Sequence, residues 1–152
     1  MIDNTDKNII QLLQKDGRTT NSEIARKLKL TPSAVLERVK KLRNKKIIQG
    51  FETRLDAEQL GLSLTSFISI KTTEKIGLTK IGERIGKLNG VQEVHFITGE
   101  FCYLLKVYVR DTAGLTRLME KIGKIPGVTA SKTILVLKSI KESLELDLDN
   151  AG

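Results

Sequence analysis

The sequence has little cysteine, little histidine and no long apolar run. One cysteine, Cys102, stands among 152 residues, so no internal disulfide can form and a cysteine-rich zinc site is excluded. A reducing, cytoplasmic location is the expectation that follows. No stretch approaches the ~20 apolar residues of a membrane helix, so no membrane partner is expected. The opening MIDNTDKN is acidic and polar and is not expected to act as a signal peptide. The single histidine, His95, has no Cys, Asp or Glu around it at metal-ligand spacing, so no metal, cofactor or catalytic role is expected of it.

Acidic residues are scarce in one place. Residues 1–50 carry twelve Lys/Arg against five Asp/Glu, whereas residues 51–152 carry fourteen against thirteen. Nearly all of the net charge of +8 therefore sits in the first third of the chain. Such asymmetry is that of a module that meets a polyanion, joined to one that does not.

Three helices are legible in that basic third. The first spans about Asn4 to Lys15 with Asp3 as N-cap, Ile9, Leu12 and Leu13 inward, and Gly17 where a C-cap is expected. The second opens on a Thr20–Glu23 capping box and turns Ile24, Ala25 and Leu28 inward. The third opens on Thr31 with Pro32 at its first position and runs to about Arg43. A short helix, a tight turn and a longer helix make the helix-turn-helix spacing. On the third helix Val35, Val39 and Leu42 share the inner side, Ser33, Glu37, Lys40, Lys41 and Asn44 point outward, and Leu36 lies on the flank. Small and polar groups come first and cations last, the order a recognition helix needs to touch base edges and then phosphates. The expected DNA contacts are Thr31, Ser33, Leu36, Glu37, Arg38, Lys40, Lys41 and Lys46. Ile47, Ile48 and Phe51 suggest an extended segment after this helix, a wing strand or a connector, read mainly as a hinge strand into the second domain.

The remainder repeats itself. GLTKIGERIGKLNGV at 77–91 returns as GLTRLMEKIGKIPGV at 114–128, with nine of fifteen positions identical. The same register aligns SFISIK at 66–71 with YLLKVY at 103–108, and VQEVHFIT at 91–98 with VTASKTIL at 128–135. Two strand-helix-strand units in series predict a ferredoxin-like βαββαβ domain, a four-stranded antiparallel sheet with both helices on one face. Ile81, Ile85, Leu88, Leu118, Ile122 and Ile125 are its expected helix core. The other face, expected to carry Phe67, Ile97 and Leu105, needs a cover, and a second copy about a two-fold axis supplies one.

With these residues in view, the chain resembles the Lrp/AsnC (feast/famine) transcription regulators over essentially its whole length. The resemblance rests on IDNTDKNIIQLLQKDGRTTNSEIARKLKLTPSAVLERVKKL, and on ITGEFCYLLKV, the IPGV turn and TILVLKSIKE. It implies an α+β fold: an N-terminal winged helix-turn-helix (1–46), a hinge strand and linker (47–62), a ferredoxin-like effector and assembly domain (63–141), and a C-terminal tail (142–152). It further implies a sequence-specific, double-stranded DNA-binding regulator, not an enzyme, acting on a pseudo-palindromic operator. Homodimers that commonly associate further, to tetramers or octamers, and small amino acids or related metabolites as effectors at a subunit interface are also implied. Siroheme decarboxylases share this architecture, but such an enzyme needs further His or Arg in its pocket and has no use for a basic recognition helix.

Three departures from the family pattern stand out. Lys29 and Lys46 occupy positions where the family often has glycine, and both are expected to need a left-handed backbone. The effector turn, often Gly-x-x-Asp, reads Gly99-Glu100-Phe101-Cys102. Candidate effector contacts are Thr98, Gly99, Glu100, Cys102 and Tyr103, with Ser131 and Thr133 on the last strand. Without the aspartate, a simple α-amino acid is expected to bind weakly or not at all.

Overall fold

A computed structural model describes residues 2–149. The chain divides into two compact units, one made of residues up to Arg54 together with those from Lys141 onward, the other of Leu55–Ile140.

The first unit contains α1 (Asn4–Lys15), α2 (Asn21–Leu28) and α3 (Pro32–Asn44). Each start is fixed by a local side chain. Asp6 N–H donates to Asp3 Oδ1 at 2.7 Å while Asp6 returns a carboxylate oxygen to Asp3 N–H. Glu23 N–H donates to Thr20 Oγ1 at 3.2 Å and the Glu23 carboxylate accepts from Thr20 N–H at 2.8 Å. Ala34 N–H donates to Thr31 Oγ1 at 3.2 Å. Reciprocal caps of this kind satisfy helix N–H groups that have no partner within the helix. The first helix ends differently from expectation: its C-cap is Asp16 in an extended conformation, φ −149°. The Asp16 side chain accepts from Arg18 N–H at 2.9 Å, so an aspartate turn, not a left-handed glycine at Gly17, stops the helix. Ile9, Ile24, Ala25 and Val35 are buried together, with Leu12, Leu13, Leu28 and Val39 around them. Beside this core Ile10 and Leu42 bury Leu148, with Ile2 and Ile48 at the margin.

Among the described residues, 47–62, expected as a hinge strand and linker, pair with no strand, and no wing strand accompanies the helices. Ile47 and Ile48 N–H both donate to Leu42 O, at 3.0 and 3.3 Å, and so finish α3 in place of starting a strand. A strand needs a backbone partner, and the single chain supplies none here. Residues 142–149, expected as a tail, fold back onto the first unit through Leu148.

The second unit runs β1 (Leu64–Thr72), α4 (Lys80–Ile85), β2 (Val91–Phe96), β3 (Tyr103–Val109), α5 (Thr112–Gly123) and β4 (Val128–Leu135). The sheet is antiparallel in the order β2-β3-β1-β4, the expected ferredoxin-like arrangement. Its buried core joins Ile68, Ile70, Leu105 and Val107 of the sheet to Ile81 and Ile85 of α4 and Leu118 and Ile122 of α5. Leu88 and Ile125 pack at its edge. The repeat is visible in the backbone: Gly90 and Gly127, equivalent positions, both have φ +94°. Leu105 corrects the expectation for the open face. It pairs with Ile68 in register and lies fully buried beneath the helices, whereas its neighbours Leu104 and Lys106 take the other side.

Candidate DNA-reading face and effector turn

Packing in the first unit leaves one side of α3 free. Val35 and Leu42 are buried and Val39 half-buried, while Ser33, Leu36, Glu37, Lys40 and Lys41 are exposed. Thr31 and Ser33 hydroxyls lie 3.1 Å apart at the helix start, next to the cap. Glu37 Oε1 and Lys40 Nζ sit 3.6 Å apart across one turn. That pair is exposed on both sides and contributes little to stability, so both groups stay available to another partner. Near the end of α3 a surface cavity of about 410 Å³ is lined by Lys40, Arg43, Asn44, Ile48 and Gln49.

The two lysines at family glycine positions are left-handed as expected: Lys29 has φ 57° and Lys46 φ 56°. Both are the residues that close a helix, Lys29 capping α2 and Lys46 following α3. An L-residue with a long side chain is held there at a cost of about 1 kcal/mol.

Arg38 departs from its expected role. Its Nη1 donates to Asp3 Oδ2 at 2.7 Å and to Asp6 Oδ1 at 2.8 Å, which ties the middle of α3 to the start of α1. Hydrogen bonding from Asp6 N–H and then from Arg38 holds the Asp3 carboxyl below its usual range. The same contacts, Asp3 first, push the Arg38 guanidinium up. Arg38 is thus turned toward the start of α1.

In the second unit the turn between β2 and β3 holds Thr98, Gly99 and Glu100 exposed, with Gly99 at φ +110° and open space where a side chain would stand. Glu100 Oε1 lies 3.5 Å from Lys71 Nζ. Cys102 N–H donates to Ile70 O at 2.8 Å, and its half-buried Sγ faces Thr72 O at 4.0 Å. Ile70 is flanked in register by Tyr103 on one side and Ser131 on the other, so the turn and the last strand's candidates meet at one end of the sheet. Thr133 lies further along, and its hydroxyl contacts Met119 Sδ at 3.9 Å. Ser131 borders a shallow cavity of about 240 Å³ with Met119, Ile122 and Val128.

Tyr103 is not at the surface. Its ring lies in the core with 1% exposure, and its hydroxyl donates to Glu74 Oε2 at 2.7 Å. Glu74 Oε1 accepts in turn from Ile81 N–H at 3.1 Å, joining Tyr103 to the first turn of α4. Burial, then the Glu74 contact, pushes the phenol up to about 12. Sequence reasoning missed Glu74; the only signal was a carboxylate shortly before a helix start. His95 Nε2 and Glu93 Oε2 lie 2.9 Å apart on the exposed sheet edge, and among the described residues no group of His, Cys, Asp and Glu is placed to hold a metal. No helix among them is long and apolar enough to cross a membrane.

Comparison with known proteins places both units. Residues 2–43 match the AsnC-type helix-turn-helix domain, and residues 65–146 the Lrp/AsnC ligand binding domain. The leucine-responsive regulatory protein of Escherichia coli K12 is 36% identical over 150 residues, covering 95% of this chain and 90% of that protein. A Neisseria meningitidis transcriptional regulator, solved as its L-Met complex, superposes with a TM-score of 0.90 at 30% identity, covering 98% of each chain. E. coli AsnC superposes with a TM-score of 0.85 at 27% identity, over 93% of this chain and 96% of that one. A feast or famine regulatory protein of Mycobacterium tuberculosis, complexed with L-methionine, gives 0.89 at 26% identity, over 96% and 99%.

Proposed function

Because the chain belongs to the Lrp/AsnC family of transcription regulators, a helix-turn-helix DNA-binding module joined to a ligand-binding domain, we propose that α3 is its reading element. Ser33, Leu36 and Glu37 enter the major groove, with Thr31 at its rim. Glu37 accepts from cytosine N4, and Leu36 meets a thymine methyl. Lys40, Lys41 and Lys46 meet phosphates. The observation that carries this reading is the burial pattern of α3, which leaves these side chains exposed while Val35, Val39 and Leu42 hold the helix down. Arg38 serves by positioning α3 through Asp3 and Asp6.

The protein acts as a homodimer on a pseudo-palindromic operator, with higher assembly to tetramers or octamers, in the cytoplasm and without enzymatic chemistry. The open sheet face supports the dimer. Phe67 stands there between Lys106 and Ile134 in register, and Ile134 is 52% exposed. A second sheet covers such a face at the least cost in wet apolar surface. The functional division follows the sequence boundaries: residues 1–46 read DNA, 47–62 link, 63–141 assemble and sense, and 142–152 form the tail. A small-molecule effector binds where Thr98, Gly99, Glu100 and Cys102 meet Ser131, with Thr133 further along β4, closed by a second subunit. Tyr103 shapes that end of the sheet from beneath, through Glu74.

The test is a titration of duplex DNA at several salt concentrations. Lys40→Ala and Lys41→Ala each take one cation away from the phosphates, and each is expected to flatten the plot of log affinity against log salt by about one unit. An unchanged slope in both variants would remove Lys40 and Lys41 from the interface.

A further inference from the structure

The basic module carries an acidic segment from the far end of the chain. Residues 141–149 read KESLELDLD, with four carboxylates and one lysine. They are held in two ways. The Gln14 side chain takes both backbone groups of Leu146: Leu146 N–H donates to Gln14 Oε1 at 2.7 Å, and Gln14 Nε2 donates to Leu146 O at 3.0 Å. Two residues on, Leu148 is 8% exposed and packs on Ile10 of α1 and Leu42 of α3. An amide that mimics a strand partner and one apolar anchor make a specific but slight attachment, with few buried contacts to overcome.

Leu42 lies between Lys41 and Arg43 on the helix proposed to read DNA. Asp147 and Asp149, one residue either side of Leu148, are exposed, and their charge acts on the module that carries those cations through a field that salt screens over about a Debye length (~10 Å). We propose that residues 145–149 are a docked acidic strap that holds down the DNA affinity of the module it packs on, and that releasing it raises that affinity. The strap competes with phosphate for the field of α3. Whatever loosens Leu148 or Gln14 therefore acts as a gain control on DNA binding. The proposal rests on the DNA-reading role of α3.

The experiment uses the full chain and a nonspecific duplex of about 30 base pairs, followed by fluorescence anisotropy from low to high salt. Glu145→Gln with Asp149→Asn keeps the anchor and the Leu146 clasp while removing two charges. It is expected to bind about threefold tighter at low salt, with the gain vanishing as salt screens it. Leu148→Ala frees the strap; with the helix signal of the first unit retained, it is expected to show the same gain and faster proteolysis after residue 140. Unchanged affinity of the charge variant at every salt concentration would overturn the strap and leave the DNA reading intact. A wild-type chain that bound no duplex at any salt would overturn both.

Discussion

Lys29 and Lys46 hold the same left-handed backbone, φ 57° and 56°, one closing the helix before the reading helix and the other following it. Glycine suits both positions better, because a Cβ in this region crowds the adjacent carbonyl. The phosphate contact proposed for the Lys46 ammonium is what a glycine there would lose. Lys29→Gly and Lys46→Gly are each expected to leave the unfolding free energy unchanged or raise it by up to about 1 kcal/mol, because the strain relieved is partly offset by added unfolded-chain entropy. At the same time Lys46→Gly weakens duplex binding and flattens its salt dependence. Chemical denaturation and anisotropy on the same preparations separate the two effects.

The Arg38 clamp makes a different expectation for a cation on the same helix. Arg38→Gln leaves the salt slope of DNA binding near its wild-type value but lowers the denaturation midpoint, because the tie to Asp3 and Asp6 is broken. The pH dependence follows in sign. Asp3 is held below its ordinary 3.8 in the fold, so its contribution is complete above that value and disappears as pH falls through the lower folded value. Wild-type stability is expected to drop more steeply below pH 3.8 than that of Arg38→Gln, followed by helix signal in mild denaturant.

The repeat exchanges volume between its halves. Tyr103 corresponds to Ser66, and Gly82 to Met119. A Cβ on Gly82 would clash with the Tyr103 ring, so the large ring lies under a glycine in one half. In the other half the small Ser66 is wholly buried, and its hydroxyl has no hydrogen-bond partner among the described residues. Ser66→Ala is expected to stabilise the protein by about 1 kcal/mol, since it removes an uncompensated polar group. Tyr103→Phe is expected to cost about 1.5–3 kcal/mol by leaving Glu74 without its strongest partner. Urea denaturation of both variants checks the opposite signs.

Much of this was legible because the signals are local. The three N-caps lie within three residues of their partners, and the strand-helix-strand units announce themselves by repetition. What escaped the sequence depends on distant partners. Leu105 alternates with Leu104 and Lys106 whichever face the helices cover, and only packing decides between the two faces. Arg38 turns away from the reading face because Asp3 and Asp6 wait on another helix. Tyr103 read as an effector contact beside the turn until Glu74, just after β1, claimed its hydroxyl. Leu148 reads as one apolar residue in a charged tail, and Ile10 and Leu42 give it a place.

Cys102 bears on the effector. Its thiol faces a backbone carbonyl and stands at the position where the family often has a carboxylate. Calorimetry with the common amino acids is expected to show weak or no binding by the wild type. Cys102→Asp gains about 1.5–3 kcal/mol for an α-amino acid through a charged hydrogen bond to its ammonium group. Tight binding by the wild type that disappears in Cys102→Asp would show that the turn recognises its ligand in another way.

Selection from random duplex DNA tests most directly whether the exposed face of α3 reads sequence. The wild-type chain is expected to enrich a pseudo-palindrome whose half-sites lie about one helical turn, 10–10.5 base pairs, apart or a multiple of it. Glu37→Gln is expected to enrich a different base at the position Glu37 faces, with cytosine no longer preferred there. The same motif from both proteins would place the readout elsewhere and contradict the account.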